Sequence, residues 1–167
     1  MAIDRHSPKE LPSWSRLLEW SVLGGVVIVL GLVLARQVRT VQAQAELAAI
    51  QSTLGALRTA FVIDYSHKQM EKGAASLAPA QRNPFELLAQ YPVNYRGVMP
   101  ATEAANAAAA GWVFDPTCVC VGYRPLEAEW LDSPSGDVMA WYQVSSVPGP
   151  LQLTAKEAYV WQGKGIN

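Results

Sequence analysis

The residues of this chain that could do chemistry are few and scattered. His6 and His67 are its two histidines and Cys118 and Cys120 its two cysteines, and no His, Cys and carboxylate grouping has the spacing of a metal site. No metal or cofactor is therefore expected. Residues two apart on one strand face the same way about 6.5 to 7 Å apart, at or beyond the upper limit for a relaxed disulfide. A Cys118–Cys120 bridge thus needs a bulge, and the alternative is a pair of buried or partner-facing thiols. No serine lies in a G-x-S-x-G elbow, no S-x-x-K is present, and no G-x-x-x-x-G-K-[ST] loop exists for a nucleotide. Catalysis is not expected. The one acid whose position invites explanation is Glu19, at the border of the longest apolar run. A carboxylate costs about 2.5 to 3.5 kcal/mol at the bilayer centre and less near the interface, so it is usually kept for a partner. Arg16, three residues earlier, is the internal alternative, and such exposed helical pairs contribute only a few tenths of a kcal/mol.

The elements that position these residues follow from composition. A chain of 167 residues holds one modest domain and one long extension, and 13 Lys and Arg against 14 Asp and Glu leave a net charge of −1. The basic residues are scattered singly from Arg58 to Lys164, without the basic stripe and interleaved aromatics of a nucleic-acid surface, so no nucleic-acid partner is expected. No small-molecule substrate is evident either.

Between Glu19 and Arg36 run sixteen uncharged residues, WSVLGGVVIVLGLVLA, and Leu17 and Leu18 extend them toward the roughly 20 needed to cross a bilayer. Three glycines and ten Val, Leu or Ile leave this segment no polar face, which excludes a buried helix of a soluble protein. A cleaved secretory signal competes with a retained anchor, but the apolar region is long and ARQVRTVQAQA offers a poor cleavage site. Residues 15–36 are accordingly expected to be a transmembrane helix. Arg5, Lys9 and Arg16 precede it and Arg36 and Arg39 follow it, a slight positive-inside bias. Residues 1–14 then form a cytoplasmic tail and the rest faces an oxidising periplasm, where an even number of cysteines is tolerated.

After the span, Val38, Val41, Ala45, Leu47, Ile50, Leu54, Leu57 and Phe61 recur at three- and four-residue steps, an amphipathic continuation over residues 37–72. The later members also fit barely two heptads of a coiled-coil stalk. Nothing from Ser15 to Met70 is proline, and Gly73 after Lys72 is the first firm stop. A helix from about Ser15 to about Glu71 measures roughly 85 Å, far more than a membrane's thickness, so its second half must project and carry something.

Residues 73–167 form the expected head. Ala74 to Gln81 reads as a loop; Asn83 and Pro84 begin a short helix, PFELLAQ, that Pro92 ends; TEAANAAAA is either a flexible loop or a short surface helix. From Gly111 the pattern is β, with WVF, CVCVGYR, VMAWYQV, LQLT and AYVWQ as three to five short antiparallel strands. Trp112, Phe114, Tyr123, Trp130, Trp141, Tyr142, Tyr159 and Trp161 should be mostly core, with any exposed subset at a subunit interface. One amphipathic helix and one small sheet each have an apolar face, and packing one across the other buries both, giving an α+β head on a helical stalk.

A hydrophobic N-terminal helix with Glu19 near its start, continued by an amphipathic half on an antiparallel sheet, resembles the type IV pilin and type II secretion pseudopilin architecture. NPFELL, PVNYRG and GWVFDPTCVCVGYRP are similar to prepilin-like proteins of type II secretion and mannose-sensitive haemagglutinin type pilus systems, so the resemblance runs from Ser15 to Pro125. It implies a bacterial inner-membrane protein that acts by assembly with pilin-like or secretion-system partners, Glu19 neutralising the N-terminal amine of a neighbouring subunit. One hallmark is absent. Aligning Leu17-Leu18-Glu19 with the family's Leu-Ile-Glu puts Trp14 where the processing glycine belongs and Ser15 at the mature first residue. The prepilin peptidase site is then missing, and the chain could receive a neighbour's amine without offering its own. Two readings follow: a pilin-like component that enters an assembly by its helix, or a bitopic scaffold that recruits periplasmic partners through its head. A membrane-tethered domain for a small ligand is a third, which a concave apolar pocket would mark.

Overall fold

No proline interrupts the chain from Ser13 to Lys72, and these 60 residues form one helix, α1 (Ser13–Lys72). The computed structural model describes residues 13–72, 82–107, 110–146 and 149–166. The expected N-terminal tail with His6 lies outside the described residues, except for its last two positions, as do the Gly73 stop, the Ala74 to Gln81 loop and Ala108 and Ala109 of the alanine-rich stretch. The chain divides into two compact units, 1–42 and 43–167, and α1 contributes to both.

In the first unit every large apolar side chain from Leu17 to Leu34 is more than half exposed. An 18-residue window of α1 reaches a mean hydropathy of 2.3 with none of it buried. By length and composition this helix can cross a membrane, which is compatible with a single-pass membrane protein. An uncovered apolar surface of this kind is stable in lipid and costly in water.

In the second unit α1 carries a seam of Ala43, Leu47, Ile50, Leu54, Leu57 and Phe61, in alternating steps of four and three. All but the partly covered Leu47 are 2% exposed or less. The seam begins at Ala43 and not at Val38, where the expected stripe started: Val38, Val41 and Ala45 are exposed, because only Ala43 continues the four-three stepping back from Leu47.

The seam packs on a five-stranded sheet in the order β1-β2-β3-β5-β6: β1 (Tyr95–Val98), β2 (Gly111–Asp115), β3 (Cys120–Arg124), β5 (Ala140–Ser146) and β6 (Leu151–Ala155). A second sheet, β4-β7-β8, joins β4 (Leu131–Asp132), β7 (Tyr159–Trp161) and β8 (Lys164–Ile166). The head is thus α+β, with eight strands among the described residues, seven of them from Gly111 onward where three to five were expected. Trp112, Phe114, Val121, Tyr123, Tyr142 and Val144 face the helix in one cluster with its seam, to which Trp130, Tyr159 and Trp161 also belong. The opposite face is covered as well: Val113, Cys120 and Trp141 join Met139 and Ala104 of the short helix α2 (Ala101–Ala104) in a smaller cluster. All eight aromatic residues named from the sequence are buried.

Three local expectations are corrected. The sheet is mixed, because Tyr95–Val98, read as an irregular segment, forms β1 and pairs with β2 in parallel, Tyr95 opposite Trp112. A parallel pair needs a crossover of roughly a dozen residues, here the segment containing α2, and an edge position tolerates the glycine and prolines that hid the strand. PFELLAQ forms only a 3₁₀ turn, Pro84–Leu87, capped by Asn83 Oδ1 accepting from Phe85 N at 3.2 Å. The chain turns extended at Leu88 because Phe85 is committed to the core, 4.6 Å from the Tyr95 ring and 6.0 Å from that of Trp112. CVCVGYR is not one strand: β3 begins at Cys120, and Cys118 lies in the preceding turn.

Candidate functional site

Glu19 lies on the exposed helical surface among Leu18, Val22, Leu23 and Val26. The ion pairs among the described residues are Lys68–Asp64 and Arg82–Glu86, so Arg16 forms no ion pair with Glu19. Trp14 and Trp20 flank it at 78% and 71% exposure, the kind of aromatic side chain that settles at a membrane interface. Arg36 and Arg39 close the other end of the apolar run. The hydroxyl of Ser21 donates to the Leu18 carbonyl at 2.9 Å, which satisfies a polar group that lipid would leave without a partner. Chemically, Glu19 is a lone acceptor on an apolar cylinder, able to take a cation or a hydrogen-bond donor from another chain.

The head is tied to its helix by three hydrogen bonds that sequence reasoning missed. Glu46 Oε1 accepts from Tyr123 Oη at 2.7 Å and from Leu126 N at 2.9 Å. Trp161 Nε1 donates to the Ala43 carbonyl at 3.0 Å, fixing β7 against the first turn of the seam. Burial, and then the carboxylate of Glu46, hold the Tyr123 phenol protonated far above the usual tyrosine range. The only sequence signal for Glu46 is a charge beside the apolar seam, which usually marks a solvated flank.

Cys118 and Cys120 are joined by a disulfide, with Cα atoms 5.2 Å apart. Val119 between them adopts φ 53°, a left-handed turn instead of the bulge that a straight strand would have required. Asp115 anchors the turn: its Oδ1 accepts from Thr117 N at 2.8 Å and Thr117 Oγ1 at 2.6 Å, and its Oδ2 from Ala101 N at 2.8 Å. Burial pushes this carboxyl up, but the Thr117 and backbone hydrogen bonds outweigh it and hold the group below the ordinary carboxylate range.

His67 lines, with Ala60, Ile63 and Asp64 of α1 and Leu87 and Leu88, an open groove of about 670 Å³. Among the described residues no three His, Cys, Asp or Glu come together as metal ligands. Comparison of the chain with protein-family models, with characterised proteins and with solved structures finds no match.

Proposed function

We propose that this chain is a non-enzymatic, membrane-anchored, pilin-like or pseudopilin-like component of a type IV pilus or type II secretion system. It sits in the bacterial inner membrane with its N-terminus cytoplasmic and its head periplasmic, and acts through helix-mediated assembly with pilin-like or secretion-system proteins. The observation that carries this reading is the division of labour along α1. Its seam from Ala43 to Phe61 is consumed by the sheet, while the apolar surface from Leu17 to Leu34 is covered by none of the described residues. That surface is free for lipid and for the helices of other subunits. Glu19, which makes no ion pair among the described residues, is the group assigned to recognition.

Glu19→Gln tests the assignment, since it removes the charge while keeping the shape of the side chain. Membrane insertion and thermal stability of the detergent-extracted protein should be unchanged, and co-purification of pilin-like partners should fall. Recovery of the same partners in the same amounts would sink the role given to Glu19.

Trp14, in the place of the family's processing glycine, favours a second reading, the bitopic scaffold that recruits periplasmic partners without entering a filament. Two measurements separate the readings. Intact mass of the membrane-extracted protein should show an uncut N-terminus, and a mature form starting at Ser15 would exclude the scaffold's premise. Recovery of the protein in sheared filaments marks the component; its retention in the membrane fraction marks the scaffold.

A further inference from the structure

We propose that the Cys118–Cys120 disulfide is a thiol-exchange site, opened by an external thiol that attacks Cys118, and that its opening relaxes the turn at Val119. The inference rests on the head alone and stands or falls independently of the assembly reading.

The two sulfurs are unequal. Cys120 is fully buried at the start of β3, whereas Cys118 is only partly buried in the turn, so an incoming thiol reaches Cys118 and Cys120 is the leaving group. The link also does little for global stability, because it closes a loop of separation two and a disulfide constrains the unfolded chain less as its loop shortens. It has a local cost instead. Drawing the two Cα atoms to 5.2 Å, closer than same-face neighbours on a strand, is achieved by Val119 at φ 53°, a region that β-branched residues avoid. The flanks are secured without the disulfide: Asp115 holds Thr117 on one side, and Val144 N donates to the Val119 carbonyl at 3.0 Å on the other. Opening the link therefore frees the turn and leaves β2, β3 and β5 paired.

The chemistry balances with two thiols as reductant. The first, as thiolate, attacks Cys118 Sγ; the S–S bond breaks, its electron pair goes to Cys120 Sγ, and that sulfur takes up a proton. The second thiol attacks the mixed disulfide and releases Cys118 as a thiol. The two external sulfurs leave as their own disulfide, having supplied two electrons.

The test uses the full chain in detergent, equilibrated in mixtures of reduced and oxidised glutathione, trapped with a maleimide and read by mass. Cys118 should become reactive in glutathione mixtures while the melting transition of the head persists. A Cys118 that stays blocked in excess reduced glutathione, or that reacts only once the protein has unfolded, would overturn the proposal. Val119→Gly removes the avoided conformation and should shift the glutathione ratio at half-reduction about ten-fold toward the reduced side; an unmoved ratio overturns the coupling to the turn. With the partner sulfur replaced, Cys118 in Cys120→Ser should form a glutathione adduct with oxidised glutathione, and Cys120 in Cys118→Ser should not. Equal labelling of both would overturn the assigned order of attack.

Discussion

Tyr123 on β3 donates its hydroxyl to the Glu46 carboxylate on α1 at 2.7 Å, a contact between residues 77 apart in the chain. The same oxygen accepts Leu126 N, so one carboxylate secures both the side chain of β3 and the backbone that follows it. Glu46→Ala leaves both donors without that partner. Hydrogen bonds to charged groups are worth about 1.5 to 3 kcal/mol, and the loss should be of that size in chemical denaturation of the detergent-solubilised protein followed by tryptophan fluorescence. Tyr123→Phe combined with Glu46→Ala should cost less than the sum of the two, because they share an interaction. Strict additivity would show that the contact does not couple helix and sheet.

Tyr142 gives the head a tyrosine-dependent alkaline limit. Its ring is fully buried, its hydroxyl has no hydrogen-bond partner among the described residues, and burial, followed by the neighbouring Tyr159, pushes its pKa up to about 12. A group whose folded pKa is raised stabilises the fold fully below the unfolded value near 10, and that contribution is lost as pH rises toward the folded value. About 3 kcal/mol should therefore disappear between pH 10 and about 12, two units at 1.36 kcal/mol each. Tyr142→Phe removes both the ionisation and the unpaired hydroxyl. It should raise the melting temperature at neutral pH and flatten the fall above pH 10, and a lower melting temperature would mean that the hydroxyl has a partner after all.

How far the sequence foretold this structure depends on how many residues carry each signal. The seam on α1 was legible because its steps of three and four are repeated from Leu47 to Phe61, and the interior strands because their apolar runs are bounded by turn residues. β4 and β8 have two and three residues, too few for any period to emerge, and β1 is a four-residue edge strand containing Gly97. The cysteine geometry was misjudged because Val119 is the wrong residue type to announce a left-handed turn. At the candidate sites, Glu19 stood out as a charge bordering an apolar run. Glu46 did not, since its role depends on Tyr123, which only the folded chain brings near.

The two sheets differ in the space they leave beside a strand glycine, Gly122 on β3 and Gly165 on β8. A Cβ at Gly122 would lie 2.5 Å from the ring of Trp141, whereas one at Gly165 would meet nothing within 4 Å. Trp141 is held over this spot by its indole N–H donating to Asp137 at 3.1 Å, so the ring cannot easily slide away. Gly122→Ala should cost about 1 to 3 kcal/mol as overpacking, and Gly165→Ala should stay within about 0.5 kcal/mol of the parent. Equal melting temperatures for the two variants would contradict the stacking of Trp141 on Gly122.

Leu57 is the position at which the packing of α1 on the sheet is most directly tested. It is fully buried, with Leu54 and Phe61 on the same seam and the inner face of the sheet in the same cluster, while Val62 on the same helix is 52% exposed. Leu57→Ala removes buried methyl groups from a filled site and should cost about 2 to 5 kcal/mol. Leu57→Asp adds an unpaired charge in the same place, which should do at least as much damage to a domain whose whole stability is of the order of 5 to 15 kcal/mol. The head should then lose its cooperative melting transition while the chain still inserts in the membrane, since the span from Leu17 to Leu34 is untouched. Val62→Asp controls for the introduction of a charge on α1 and should shift stability by no more than about 0.5 kcal/mol. If Leu57→Asp melted at the parent temperature, or if Val62→Asp were equally damaging, the seam assigned to α1 would be the wrong face of the helix.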